Sequence, residues 1–211
     1  MKTIIVNASP RKNWNTALML KEAQKGAESV GAETEYVDLY DLNFAGCHSC
    51  LACKRKSAEK GKCYWKDDLS PWIEKILQAD SVIIGAPIYF GEPTAHFRAL
   101  FERLCFCVLS YDGGGSYFDR SVNVGIIYTM NAPKAYYEAN MRSALEGPER
   151  TYERLLKGKV KVIAACETMQ VNDYDKYNMG MFNAKERKES RENQFPKDLF
   201  EAWNLGAELS R

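Results

Sequence analysis

Met1-Lys2-Thr3-Ile4-Ile5-Val6-Asn7, followed by Ala8-Ser9-Pro10-Arg11-Lys12-Asn13-Trp14-Asn15-Thr16, is the stretch that decides the fold. Thr3 to Asn7 is a short β-branched run and reads as a strand. Ala8 to Thr16 is a loop dense in hydroxyls, amides and two cations. An amphipathic helical pattern starts at once, with Ala17, Leu18, Leu20 and Ala23 at helical spacing. A strand, a polar loop and a helix start make an anion site, because the first turn presents unpaired N–H groups and the positive end of the dipole. Ser9, Asn13, Asn15 and Thr16 add side-chain donors, and Arg11 adds charge. No lysine follows a glycine at Walker spacing and there is no G-x-G-x-x-G, so neither a nucleoside triphosphate nor a dinucleotide pyrophosphate is implied. A single terminal phosphate monoester fits better. Taken alone, the loop also reads as an ordinary N-cap and turn.

Working outward, strand and helix signals alternate. Glu33–Asp38 reads as a second strand, and Asp67-Asp68-Leu69 opens a helix to Gln78. Ser81-Val82-Ile83-Ile84-Gly85 is a continuous apolar run, as in a strand buried on both faces, with Pro87 ending it. A helix follows from Thr94 to Leu104, and Val122–Tyr128 is the fourth strand. Helices near Lys134–Leu145 and Glu149–Leu156 are separated by Gly147-Pro148. Lys159–Ala165 is the fifth strand, and Phe195-Pro196-Lys197-Asp198 caps a last helix to Leu209. The expected architecture is α/β: a three-layer sandwich with a five-stranded parallel sheet, order 2-1-3-4-5, and helices on both faces. The 211 residues suit one such domain, 1–211, carrying a cysteine-rich loop at about 46–63. The charged segment Lys185–Glu192 reads as a solvated helical face. Tyr174, Tyr177, Met179, Met181 and Phe182 read as the packing of an irregular excursion.

Composition excludes several classes. The net charge of +1 gives no electrostatic footprint for nucleic acid or an anionic membrane. No apolar run is long enough to span a bilayer, and the N-terminus enters a strand directly, without a signal-peptide stretch, so a cytoplasmic location is expected. Seven cysteines, an odd number, argue against a disulfide framework. Cys105, Cys107 and Cys166 read as small buried hydrophobes.

Two further loops fall at the same sheet edge as the first. Gly85-Ala86-Pro87-Ile88-Tyr89-Phe90-Gly91 follows the third strand, and Tyr128-Thr129-Met130-Asn131 follows the fourth. In open α/β sheets ligands sit beyond the carboxyl ends of the strands where the strand order reverses, and the first and third strands flank that point. Backbone N–H groups of the second loop suit a flat heterocycle, and Tyr89 or Phe90 suits its face.

Ser9-Pro10-Arg11-Lys12-Asn13 with Asn15-Thr16, and Ala86-Pro87-Ile88-Tyr89-Phe90, resemble the NADPH-dependent FMN reductase and iron–sulfur flavoprotein group of the flavodoxin superfold. The cysteine cluster, Asp67-Asp68 and Phe195-Pro196-Lys197-Asp198 share the resemblance, which covers nearly the whole chain. It implies FMN, with its phosphate held by Ser9, Arg11, Asn13, Asn15 and Thr16. It also implies an isoalloxazine ring held by Pro87, Ile88, Tyr89, Phe90 and Gly91 and by Thr129, Met130 and Asn131. A homodimer or homotetramer is implied too.

Cys47, Cys50, Cys53 and Cys63 form C-x2-C-x2-C-x9-C. Thiolates so close suit a [4Fe–4S] cluster or zinc, and the plain alternative is free thiols. The resemblance points to the cluster, although its members usually have a shorter last gap. His48 reads as a loop residue and His96 as a surface or capping residue. The expected function is an FMN-dependent oxidoreductase with no catalytic side chain. It passes electrons from NAD(P)H, or from ferredoxin, to a quinone or other small acceptor. The rival classes are a non-enzymatic electron carrier and a cysteine-based redox or metal sensor.

Overall fold

The computed structural model describes residues 1–211. Six strands form one sheet: β1 (Lys2–Asn7), β2 (Glu33–Asp38), β3 (Ser81–Tyr89), β4 (Glu92–Pro93), β5 (Val122–Thr129) and β6 (Lys157–Ala165). The long strands are parallel in the order β2-β1-β3-β5-β6, and β4 lies antiparallel on the end of β3. The expected five-stranded order 2-1-3-4-5 is therefore corrected to six strands in the order 2-1-3-5-6 with β4 off the path. The extra strand exists because Pro87 does not end β3. At Pro87 the neighbouring β1 has already stopped at Asn7, opposite Gly85, so that edge needs no N–H from the proline. β3 runs on to Tyr89, turns through Phe90 and Gly91, and returns as β4.

Alternation along the strands builds two cores. Ile4, Val6, Val82, Ile84, Val124 and Ile126 point to one face. There they meet α2 (Ser70–Gln78), α3 (Ala95–Val108) and α5 (Arg142–Leu156), with α4 (Lys134–Asn140) beside α5. Ile5, Ile83 and Ile127 point to the other face, against α1 (Asn15–Ser29) and α7 (Phe195–Leu209). These two helices touch backbone to backbone. A Cβ on Gly26 would lie 1.9 Å from the Trp203 carbonyl oxygen, and one on Gly206 would lie 1.8 Å from that of Ala23. The remaining helix, α6 (Ala184–Asn193), packs on α7. No helix is long and apolar enough to cross a membrane.

Three helix boundaries differ from expectation. α2 starts at Ser70, because the Asp67 carboxylate is taken up by the Leu69 N–H, the Ser70 hydroxyl and Arg103. α3 continues to Val108 and carries Cys105 and Cys107 inside it. α5 passes through Gly147-Pro148 without interruption, and the break falls at Met141. Arg142 bonds both oxygens of Glu149, at 2.6 and 3.0 Å, across the proline, and Leu145 and Tyr152 are buried on either side of it.

Candidate functional site

The carboxyl ends of β1, β3 and β5 border a solvent-open cavity of about 120 Å³. Its polar walls are fixed by bonds between distant loops. The Thr94 hydroxyl, which also caps α3, donates to the Ala8 carbonyl at 2.6 Å. Thr16 and Thr129 share a buried hydroxyl bond of 2.8 Å. Ser9 is tied on both sides, donating its N–H to Asn7 Oδ1 at 3.0 Å and accepting the Arg11 N–H on its hydroxyl at 3.1 Å.

Ser9, Arg11, Asn15 and Thr16 line this cavity, with Pro87, Ile88 and Tyr89 and with Thr129, Met130 and Asn131. Three expected residues do not. Asn13 is exposed and accepts from Lys21 at 3.2 Å. Phe90 and Gly91 form the two-residue turn between β3 and β4, with φ of 54° and 85°. Left-handed backbone at both positions matches strand twist in such a turn but turns the Phe90 side chain fully into solvent.

The start of α1 is the unusual feature of this cavity. Its N-cap is Trp14, which offers no side-chain acceptor. The first backbone bond runs from Leu18 N–H to the Trp14 carbonyl, so the N–H groups of Asn15, Thr16 and Ala17 have no partner in the protein. All three residues are buried. A buried helix start with spare donors requires an acceptor from elsewhere. Positive charge stands beside it. The Arg11 guanidinium lies 4.6 Å from the Trp14 ring centre and that of Arg191 lies 5.8 Å away. No ion pair in the molecule includes Arg11 or Arg191.

The far wall comes from a segment that sequence reading passed over. After β6, Thr168 and Gln170 line the cavity. The Met169 carbonyl accepts from Trp14 Nε1 at 3.0 Å and from Asn15 Nδ2 at 2.9 Å, and the Gln170 carbonyl accepts from Arg11 Nη1 at 2.6 Å. α6 keeps most of the expected solvated face, with Lys185, Glu186, Lys188, Glu189 and Glu192 exposed, but turns two arginines towards the cavity loops. Arg187 is buried, donating to Asn131 Oδ1 and, at 3.3 Å, to its carbonyl, and pairing with Glu167 at 3.4 Å. Arg191 donates to Asn15 Oδ1 at 2.9 Å. The sequence carries no local signal for this, since two arginines four apart on one helical face fit a solvated stripe equally well.

A second, tight cavity, of about 20 Å³, lies under the cysteine loop on the α3 side of the sheet. Cys47, Cys50, Cys53 and Cys63 all line it, together with Cys107, and all are free thiols. Its one charged wall is Arg103, 1% exposed. That guanidinium pairs with Asp67 at 2.5 Å, bonds the Trp65 carbonyl at 3.1 Å, and places Nη2 at 3.6 Å from Cys63 Sγ. Burial pushes the Cys53 thiol up, against the pull of Lys54. Lys54 itself caps α3, donating to the Phe106 and Leu109 carbonyls. His48 stacks on Trp65 at 3.8 Å. The donor set is all sulfur with a buried cation beside it and no carboxylate, which suits an anionic iron–sulfur cluster. The side chains are not assembled around an ion: no trio of His, Cys, Asp or Glu is arranged to hold one.

The profile of the family described as NADPH-dependent FMN reductase matches residues 1–132. An iron-sulfur flavoprotein of Methanocaldococcus jannaschii is 38% identical over 103 residues, covering 49% of this chain and 51% of that protein. One of Archaeoglobus fulgidus is 36% identical over 103 residues, 49% of this chain and 48% of that protein. The chain thus spans about half the length of the curated relatives it matches. Among solved structures, an NAD(P)H:quinone oxidoreductase from Methanothermobacter marburgensis superposes with a TM-score of 0.73 and 17% identity, covering 99% of this chain and 98% of the other. An FMN-dependent NADH-azoreductase of Bacillus anthracis, solved in complex with FMN, superposes at 0.65 with 12% identity over 100% of both chains. These structural likenesses concern the flavodoxin-like fold.

Proposed function

The chain belongs to the NADPH-dependent FMN reductase family, and we propose that it is an FMN-dependent oxidoreductase passing electrons from a reduced nicotinamide, or from ferredoxin, to a quinone or other small acceptor. The observation that carries the reading is the buried, uncapped start of α1 opening into the cavity with Arg11 beside it. The spare N–H groups of Asn15, Thr16 and Ala17, with the Ser9 hydroxyl and Arg11, bind the FMN phosphate. Asn13 drops out of that set. Pro87, Ile88 and Tyr89 hold one side of the isoalloxazine ring, and Thr129, Met130 and Asn131 the other. Bound FMN supplies the redox chemistry, exchanging a hydride or single electrons with its partners. The protein binds and orients the ring, and no side chain acts as general acid or base.

Cys47, Cys50, Cys53 and Cys63 are proposed as ligands of a [4Fe–4S] cluster. All four face one cavity, and Cys63 keeps its place there despite the nine-residue gap. Seven free thiols suit a reducing compartment such as the cytoplasm. The cluster site also supports a second reading, a non-enzymatic carrier between redox proteins. Steady-state NAD(P)H oxidation with an added quinone separates them, since a carrier alone gives no turnover.

The test is the visible spectrum and iron content of anaerobically purified protein, with FMN and riboflavin titrations. Flavin bands and tighter binding of FMN than riboflavin are expected, and equal affinities overturn the phosphate assignment. Cys50→Ala is expected to remove the broad cluster absorption and leave FMN bound. Iron-free protein with all four thiols titratable overturns the cluster.

A further inference from the structure

We propose that Arg191, on α6, is a specificity-determining residue of the flavin site. It acts as a second cation at the phosphate end, through Asn15, and makes the pocket select a phosphorylated flavin. The inference rests on the flavin reading above and adds a residue from beyond the family match, which stops at residue 132.

Arg187 and Arg191 lie four residues apart on α6, and each reaches an asparagine at one of the cavity loops. Their charges are treated differently. Arg187 has Glu167 at 3.4 Å. Arg191 is half-buried and has no carboxylate partner. Its contacts are the neutral Asn15 oxygen and the faces of Phe195 and Trp14, at 4.2 and 5.8 Å. Burial alone shifts its guanidinium, downward, with no acid holding it up. A cation kept half out of water without a counter-ion is a cost in the free protein, and an anionic ligand beside it relieves that cost.

Asn15 is the route by which Arg191 reaches the ligand. Its amide is fixed at both ends, Oδ1 accepting from Arg191 and Nδ2 donating to the Met169 carbonyl. Complementary partners set which end is oxygen. Arg191 therefore occupies the one side-chain acceptor at the helix start that would repel a phosphate, while the Asn15 backbone N–H stays spare. Its charge adds to the dipole of α1 and to Arg11 at the same end of the cavity. The ligand chemistry is a phosphate monoester, and we assign it to FMN rather than to the extra phosphate of NADPH, because the residue is built onto the start of α1.

The experiment titrates flavin-stripped wild type, Arg191→Met and Arg191→Lys with FMN and with riboflavin, following quenching of flavin fluorescence. Arg191→Met is expected to weaken FMN about 5–10-fold and riboflavin less than about twofold, a loss that fits one charged contact made at second hand. Arg191→Lys, which keeps a charge and a donor, is expected to recover most of the FMN preference. Equal weakening of both flavins makes Arg191 merely structural and overturns the proposal. So does an unchanged FMN-to-riboflavin ratio with a raised KM for NADPH but not NADH, which assigns the cation to the nucleotide donor. A wild type that does not prefer FMN overturns the flavin reading itself, whereas a wild-type preference untouched by Arg191→Met overturns this inference alone.

Discussion

The crevice at the ends of β1, β3 and β5 and the cavity under the cysteine loop share helix α3, yet they are held in different ways. At the crevice, Thr94 at the start of α3 bonds Ala8, and with Thr16–Thr129, Trp14–Met169 and Asn131–Arg187 this ties five separate segments together. Its shape is set before any ligand arrives, and what remains spare is a row of N–H groups and two unpaired cations. Under the cysteine loop, the later turns of α3 offer Arg103, and Lys54 reaches the helix end. The four cysteines face the same space without being gathered around an ion. The difference is one between a receptor and a pouch. A ligand at the crevice meets donors already in place, so little ordering is charged against binding. A cluster bound there would add its thiolate bonds to the 46–63 loop, so its binding would stabilise that loop as well as fill the cavity.

The largest effect is expected where the cavity depends on one charge. In Arg103→Met the Asp67 carboxylate, only 12% exposed, loses its partner, and the Cys63, Trp65 and Ser70 contacts go with it. Breaking a buried pair from one side should cost about 3–5 kcal/mol, read as a lower midpoint in urea. FMN affinity of the protein that remains folded should move by less than about twofold. A comparable loss of FMN affinity breaks the comparison, because the two regions would then be one unit coupled through α3.

A smaller effect should stay on the other side. Arg11 is exposed, and its one side-chain bond within the protein is to the Gln170 carbonyl. Arg11→Ala should barely change stability. It should weaken FMN by about 1.5–3 kcal/mol, roughly 10–150-fold, if the guanidinium meets the phosphate. Isothermal titration with FMN and riboflavin checks this, with iron content measured in parallel and expected to hold. Loss of both flavins in equal measure would mean that Arg11 shapes the loop through Gln170 and does not meet the phosphate.

How much of this was readable in the sequence follows the distance over which each feature is decided. Glu33–Asp38 and Phe195–Leu209 were legible to the residue, since β-branched content and a Pro at the helix start act locally. Pro87 and Asp67 misled because a neighbour far along the chain overrode the local rule, the early end of β1 and the Arg103 pair, whereas at Pro148 the override lies within the helix itself, in the Arg142–Glu149 bridge. The crevice loops were legible because each follows a strong strand. Its far wall was not, since Arg191 reaches Asn15 across 176 residues and Trp14 reaches Met169 across 155. No local pattern separates such a pair of arginines from a solvated stripe. The cysteine spacing was plain in the sequence, but not that Arg103, 40 residues on, stands at Cys63.

The smallest effect concerns the residue that joins the two regions. His96 stacks on Tyr40 at 3.8 Å and meets Phe44 edge-on at 5.2 Å. It thus clamps the segment entering the cysteine loop onto α3, two residues from the Thr94 that holds the crevice. Burial pushes its imidazole below the ordinary value of 6.5. The unfolded chain therefore takes up the proton first as pH falls. The stacked neutral ring contributes its full stability above pH 6.5, and that contribution is lost as pH drops through 6.5 towards the folded value. The chain has only two histidines, so the difference between wild type and His96→Gln isolates this one. Urea midpoints compared between pH 7.5 and pH 5.5 should fall more for wild type than for the variant. If the two curves run parallel, the imidazole is not taxed by burial. The link between crevice and cavity then rests on Phe44 and Tyr40 packing alone and carries no pH dependence.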